Sequence, residues 1–151
     1  MGTFSKNGEI YFVRLEKLKK PDRTNTLNNE IYSATLKKGK FTEIKNLGKP
    51  VNTIGGEVCP FIDPSGKYLL FGSSRDGGYG LVDTYISFRK QNGTWTYPQN
   101  VKEINTPEFD ANAIVTPDGK YLIFIRREDF KCTIPNRIYW VSAKILEKYS
   151  K

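Results

Sequence analysis

Residues Asp110–Arg126 read D-A-N-A-I-V-T-P-D-G-K-Y-L-I-F-I-R, and Glu57–Ser73 read E-V-C-P-F-I-D-P-S-G-K-Y-L-L-F-G-S. Each runs from an acidic residue through an apolar-rich stretch into a Pro-x-Gly-Lys turn. A second apolar run, opening on tyrosine, follows. The two start 53 residues apart. Proline presets φ at the second position of a four-residue turn, and glycine accepts the left-handed backbone near its end. Each stretch therefore predicts two antiparallel strands joined by a tight turn. Tyr68–Gly72 is almost continuously apolar, as in a strand buried on both faces.

The likeness extends well beyond the turn. Asn52-Thr53 returns as Asn105-Thr106, and Tyr32 returns as Tyr85 and again as Tyr139. Lys38-Gly39-Lys40-Phe41 matches Asn92-Gly93-Thr94-Trp95, and Lys6–Arg14 matches the turn and its second strand with one residue deleted. A period of this length is the signature of repeated supersecondary units. The reading is three copies, at 1–53, 54–106 and 107–151, the first lacking its start and the last its end. The strands expected are Glu9–Val13, Ile31–Leu36, Phe41–Leu47, Val58–Ile62, Tyr68–Gly72, Asp83–Arg89, Tyr121–Arg126 and Ile138–Ser142. An outer strand is expected to begin at Thr94–Tyr97. Pro60 cannot donate to a ladder, which puts Val58–Ile62 at a sheet edge. Glu16–Asn29 and Arg127–Asn136 read as long loops, Arg75–Gly80 as a glycine-rich hairpin loop, and Ala143–Tyr149 as a short terminal helix.

Composition narrows the chemistry. The chain has 151 residues, 13% of them aromatic, and no histidine. Aromatic and β-branched enrichment favours strands. Without histidine there is no Ser-His or Cys-His nucleophile and no imidazole metal ligand. The two cysteines, Cys59 and Cys132, fall at unmatched positions of their repeats and read as free thiols. No cofactor and no metal is expected. No apolar run approaches the ~18 residues needed to span a bilayer. No signal peptide is visible, so an envelope or periplasmic location would need a signal upstream of these residues; the cytoplasm is the other reading. The formal charge is +8.

Four antiparallel strands per repeat describe a propeller blade. The P-D-G-K-Y-L-I-F turn, the R-D-G-G-Y-G hairpin and N-G-T-W resemble the WD-repeat-like propeller repeats of bacterial TolB-type proteins. The resemblance covers nearly the whole chain. It implies an all-β propeller used mainly as a binding scaffold, often exported and paired with envelope or polysaccharide partners. Three blades cannot close a ring, which needs about four to eight. The fold expected is half of a six-bladed propeller.

Candidate site residues follow from that geometry. Glu57 and Asp110 open the innermost strands, at the channel mouth, with Arg75 and Tyr79 nearby in the hairpin loop. They would bind a cation or a ligand hydroxyl, or cap the loop entering the blade. The loops between second and third strands gather basic residues, Lys19, Lys20, Arg126 and Arg127 among them, and their excess of positive charge suggests an anion-binding rim. Nucleic acid is disfavoured, because the aromatics sit in strand periodicity and not among those charges.

The function expected is a non-catalytic propeller that binds a protein or carbohydrate ligand. The competing reading is a carbohydrate-active lyase or hydrolase using Glu57 and Asp110, since paired carboxylates are the minimum for glycoside hydrolysis. The apolar faces at the two ends of a three-blade arc predict a homodimer that completes a six-bladed ring, or a longer chain that supplies the other half.

Overall fold

The structure is a computed structural model that describes residues 2–19, 25–128 and 135–150. It is all-β and consists of three antiparallel sheets, each built from consecutive stretches of chain. The first contains β1 (Gly2–Phe4), β2 (Glu9–Lys19), β3 (Asn25–Lys37) and β4 (Lys40–Asn46). The second contains β5 (Glu57–Ile62), β6 (Tyr68–Ser73), β7 (Asp83–Phe88) and β8 (Gln99–Asn100). The third contains β9 (Phe109–Val115), β10 (Tyr121–Arg127) and β11 (Arg137–Ser142), and a 3-10 helix at Ala143–Tyr149 follows it. In every sheet each strand pairs with its neighbour in sequence. These are blade-like units of a partial propeller.

Both faces of the second sheet are buried. Leu69, Phe71 and Tyr85 pack with Tyr11 and Ile31 of the first sheet and with Val51, Ile62 and Trp95. On the opposite face Leu70 and Ile86 pack with Ala113, Leu122 and Phe124 of the third sheet, and with Leu146 of the helix. Full burial of one such aliphatic or aromatic side chain is worth about 1.5–3 kcal/mol. The alternation in β6 supplies both layers from one strand, which is why its sequence is apolar without interruption.

The Pro-x-Gly turns are formed as the sequence requires. Gly66 and Gly119 have φ of 75° and 73°, in the region that a β-carbon disfavours. Their amides donate to Asp63 O at 2.7 Å and Thr116 O at 2.8 Å. β5 is an edge strand, as Pro60 demands, and its register shifts between Val58 and Phe61. Cys59 has φ of 50° at that bulge, and Asn112, 53 positions later, has φ of 57°.

Two expectations are corrected. Glu16–Asn29 is not simply a loop: β2 and β3 continue as a two-stranded ribbon, pairing Glu16 with Asn28, Lys17 with Leu27 and Lys19 with Asn25. Ladder bonds come from the backbone, so polar side chains do not prevent them, and Tyr32 Oη donates to Glu16 Oε1 at 2.8 Å across the ribbon. Pro21 and Asp22, within that stretch, lie outside the described residues. The outer strand of the second sheet is also displaced. Around Thr94–Tyr97 there is an isolated bridge between Arg89 and Trp95, and the ladder resumes at β8. Pro98 interrupts it because proline brings no amide proton. Most of the Arg127–Asn136 loop, Cys132 included, lies outside the described residues; Cys59 is a free, half-buried thiol.

Candidate functional site

Glu57 and Asp110 start the first strands of the second and third sheets, and both are fully buried. The residues around them repeat with the sequence period. Thr53 binds Glu57 twice, its amide to Oε2 at 3.0 Å and its hydroxyl to Oε1 at 2.7 Å. Thr106 binds Asp110 Oδ2 twice, at 2.7 and 2.5 Å. Each carboxylate then meets an arginine. Arg126 Nε donates to Asp110 Oδ1 at 2.6 Å, and Arg75 Nη2 lies 3.4 Å from Glu57 Oε1, which also accepts from Ser73 Oγ at 3.0 Å.

The arginines reach further into the frame. Arg75 Nη2 donates to Val51 O at 2.7 Å, and Arg126 Nη2 donates to Ile104 O at 2.9 Å. Their guanidinium groups lie 4.7 Å from the Tyr85 ring centroid and 4.8 Å from that of Tyr139. Burial pushes the Glu57 carboxyl above its ordinary range, against the lowering by Thr53, Ser73 and Arg75. Burial likewise pulls Arg75 below its usual value, against the attraction of Glu57. On both partners desolvation outweighs attraction, as in many buried ion pairs. No hydrogen bond or ion pair joins Glu57 to Asp110; each is committed to its own sheet.

The other sequence candidates are scattered. Tyr79 is exposed, and its amide donates to the buried carboxylate of Asp83, which also accepts from Gly80 N at 3.2 Å and Asn100 Nδ2 at 2.9 Å. That carboxylate ties down the Arg75–Gly80 loop. At Gly80 a β-carbon would come within 2.3 Å of the Thr106 and Glu108 carbonyl oxygens. Arg127 lies over Phe109 at 5.0 Å and donates to Asn136 Oδ1 at 3.0 Å. Of Lys19 only the backbone, paired with Asn25, is described; Lys20 lies outside the described residues. Part of the basic rim is neutralised, with Arg14 beside Glu16 at 3.1 Å and Arg137 beside Glu128 at 2.7 Å.

The repeated asparagines hold neighbouring sheets together. Asn52 Oδ1 accepts from Ile31 N at 2.8 Å, and its Nδ2 donates to Ile31 O at 2.9 Å. Asn105 holds Thr84 in the same way, at 2.8 Å on both bonds. Their recurrence was visible in the sequence, but their partners, in the third strand of the preceding sheet, were not. A second such link is the Glu9–Arg89 pair between the first and second sheets, bidentate at 2.6 and 2.7 Å beside a cleft of about 300 Å³. A smaller cleft, about 210 Å³, is lined by Thr53, Ile54, Gly55, Arg75, Asp76 and Tyr97. Ile54 and Tyr97 are among the most exposed large side chains of the chain. Neither repeats, and that is the signal by which they differ from the framework.

No protein-family model matches the chain, and no curated protein sequence matches it. Solved structures do. The chain is similar to TolB from Acinetobacter baumannii, with a TM-score of 0.57 and 17% identity over 95% of this chain and 29% of that one. It is similar to a putative TolB from Agrobacterium tumefaciens, with a TM-score of 0.58 and 18% identity over 93% of this chain and 44% of that one. A puromycin-hydrolyzing peptidase of Mycobacterium tuberculosis aligns with a TM-score of 0.59 and 19% identity, over 93% of this chain and 21% of that one. The chain thus spans less than half the length of each of these structures. At such identities the likeness is one of fold, and the fold is that of TolB-type β-propeller repeats.

Proposed function

We propose that this chain is a non-catalytic β-propeller scaffold that binds a protein or carbohydrate ligand on its loop edge. The observation that carries this is the use of Glu57 and Asp110. Each buried carboxylate is bound by a threonine twice and by an arginine, in a pattern that repeats with the fold. A general acid or base must reach a substrate atom within hydrogen-bond distance, and neither carboxylate faces solvent. The binding surface this reading uses is the small cleft lined by Arg75 and Asp76 and flanked by exposed Ile54 and Tyr97. An aromatic with a polar tip beside charged side chains suits the apolar face and hydroxyls of a sugar, or a protein side chain.

The test is titration calorimetry with a panel of soluble glycans and candidate protein ligands, with Tyr97→Ala as control. A ligand whose affinity falls tenfold or more in Tyr97→Ala, at unchanged melting temperature, supports the reading. Retention on heparin that weakens steeply with salt would add the basic rim to the binding surface. Cleavage of a polysaccharide that disappears in Glu57→Gln or Asp110→Asn, with the variants still folded, would replace this reading with the lyase or hydrolase one.

A further inference from the structure

The second sheet shows how one sheet of this chain receives the next. Toward the third sheet it presents the cross-strand pairs Tyr68–Phe88 and Leu70–Ile86. The third sheet meets this face with Phe124 and Tyr139, whose rings stack at 5.7 Å. Toward the first sheet the second presents the same motif, Phe71 stacked on Tyr85 at 6.2 Å. A Phe-Tyr face therefore meets an aliphatic and aromatic face at both internal contacts.

The same two surfaces recur, uncovered, at the two ends. The first sheet carries Phe12 stacked on Tyr32 at 6.1 Å, with Phe4 paired opposite Ile10 and Phe41 opposite Leu36. The third sheet carries Tyr121–Ser142, Ile123–Trp140 and Ile125–Ile138. These occupy the register positions of Tyr68–Phe88, Leu70–Ile86 and Gly72–Thr84. Ile86 is 0% exposed, whereas Trp140, its counterpart, is 67% exposed and Ile138 72%. A shallow apolar groove of about 310 Å³ runs between Tyr121, Ile123, Ile138 and Trp140. The cations agree. Arg14 lies 5.5 Å over Tyr32, as the other arginines lie over Tyr85 and Tyr139. Its side chain is 60% exposed, against 9% for Arg75 and 21% for Arg126.

We propose that a second copy of this chain covers both ends. The outer face of the third sheet of one copy seats on the outer face of the first sheet of the other. Two copies related by a two-fold axis make this contact twice and close a ring of six sheets. The inference rests on the propeller reading, because it takes the geometry of the internal contacts as the template for the external one. Ring closure selects the number of copies, since propellers close with about four to eight blades. Two copies give six, and three would give nine. The buried area is adequate. An aromatic side chain can bury about 150–250 Å², and six half-covered aromatics per contact would contribute roughly 600 Å². Two contacts then reach the ~1,200 Å² at which specific interfaces begin, before any aliphatic contribution.

The experiment is multi-angle light scattering of the purified chain at micromolar concentration, alone and as Trp140→Glu and Phe4→Glu. Both positions are exposed within the chain, so the substitutions should leave its own packing intact. The wild type should show twice the 17.3 kDa of one chain. Each variant should show a single chain, and an equimolar mixture of the two should regain the double mass through the one undamaged contact. Amide exchange on the wild type gives a second readout: protection in β2 and β11 should rise with protein concentration. A wild type that stays at 17.3 kDa, an open-ended polymer, or a Trp140→Glu variant that remains dimeric would overturn the proposal. A dimer that binds no glycan and no protein removes the binding reading and leaves this one standing. A monomer that binds does the reverse.

Discussion

Asn105 holds Thr84 by both of its backbone groups: the Thr84 amide donates to Asn105 Oδ1, and Asn105 Nδ2 donates to the Thr84 carbonyl, each at 2.8 Å. One side-chain amide thus replaces a missing ladder partner on the third strand of the preceding sheet. Asn52 does the same for Ile31. Asn105→Ala would leave the Thr84 amide without its partner, while the Thr84 carbonyl keeps the bond from Val101 N at 3.0 Å; an unsatisfied buried polar group costs about 1–3 kcal/mol. Equilibrium denaturation should show a loss of that order. The Thr84 amide should exchange faster in the variant than in the wild type.

The turns give a cleaner test of backbone geometry. A β-carbon added at Gly119 meets nothing within 4 Å, so the only penalty is its φ of 73°. Gly119→Val should cost about 1–3 kcal/mol. Gly119→Asn should lose much less, since asparagine tolerates the left-handed region. Equal melting temperatures for the two variants would contradict this.

The bulges make the opposite prediction. Cys59 and Asn112 occupy equivalent places with φ of 50° and 57°. Asparagine suits that conformation and cysteine does not. Cys59→Asn should hold stability or raise it by about 0.5–1 kcal/mol, read as the denaturation midpoint.

The pH dependence follows from Glu57, whose carboxyl burial pushes above the ordinary 4.5. The folded state therefore holds this proton more tightly than the unfolded chain. The contribution is fully present below the ordinary carboxylate range and is lost as pH rises through the raised folded value. In Glu57→Gln that decline should disappear from a series of denaturation curves taken upward from pH 4.5. A decline that survives the substitution would assign it to another group.

Much of this fold is legible in the sequence because the repeat displays it. The Pro-x-Gly turns, the unbroken apolar run of β6 and the edge position forced by Pro60 all follow from local chemistry. The β2–β3 ribbon escaped because Lys17, Lys19 and Asn25–Asn29 have loop-like side chains, while the pairing that orders them is made by the backbone. For the candidate site, Glu57 and Asp110 were visible as repeated acids. Their threonines lie four residues back, but the arginine lies 18 residues on from Glu57 and 16 on from Asp110, Arg75 falling just past the end of β6 while Arg126 lies within β10. No fixed spacing therefore links acid to arginine. Arg126, which read as part of an anion-binding rim, donates from Nε to Asp110.

The structural role of the acid–arginine pairs is tested most directly by a double-mutant cycle on Asp110 and Arg126, measured by equilibrium unfolding. Removing one member of a buried pair leaves the other uncompensated, at about 3–5 kcal/mol; the partial exposure of Arg126 lowers the figure on its side. Asp110→Asn and Arg126→Met should each destabilise the chain, and the double variant should lose little more than the worse single one, with a coupling of about 1–3 kcal/mol. Strictly additive losses, or single variants within about 0.5 kcal/mol of the wild type, would contradict the structural role and return Asp110 to the list of groups free to act on a ligand.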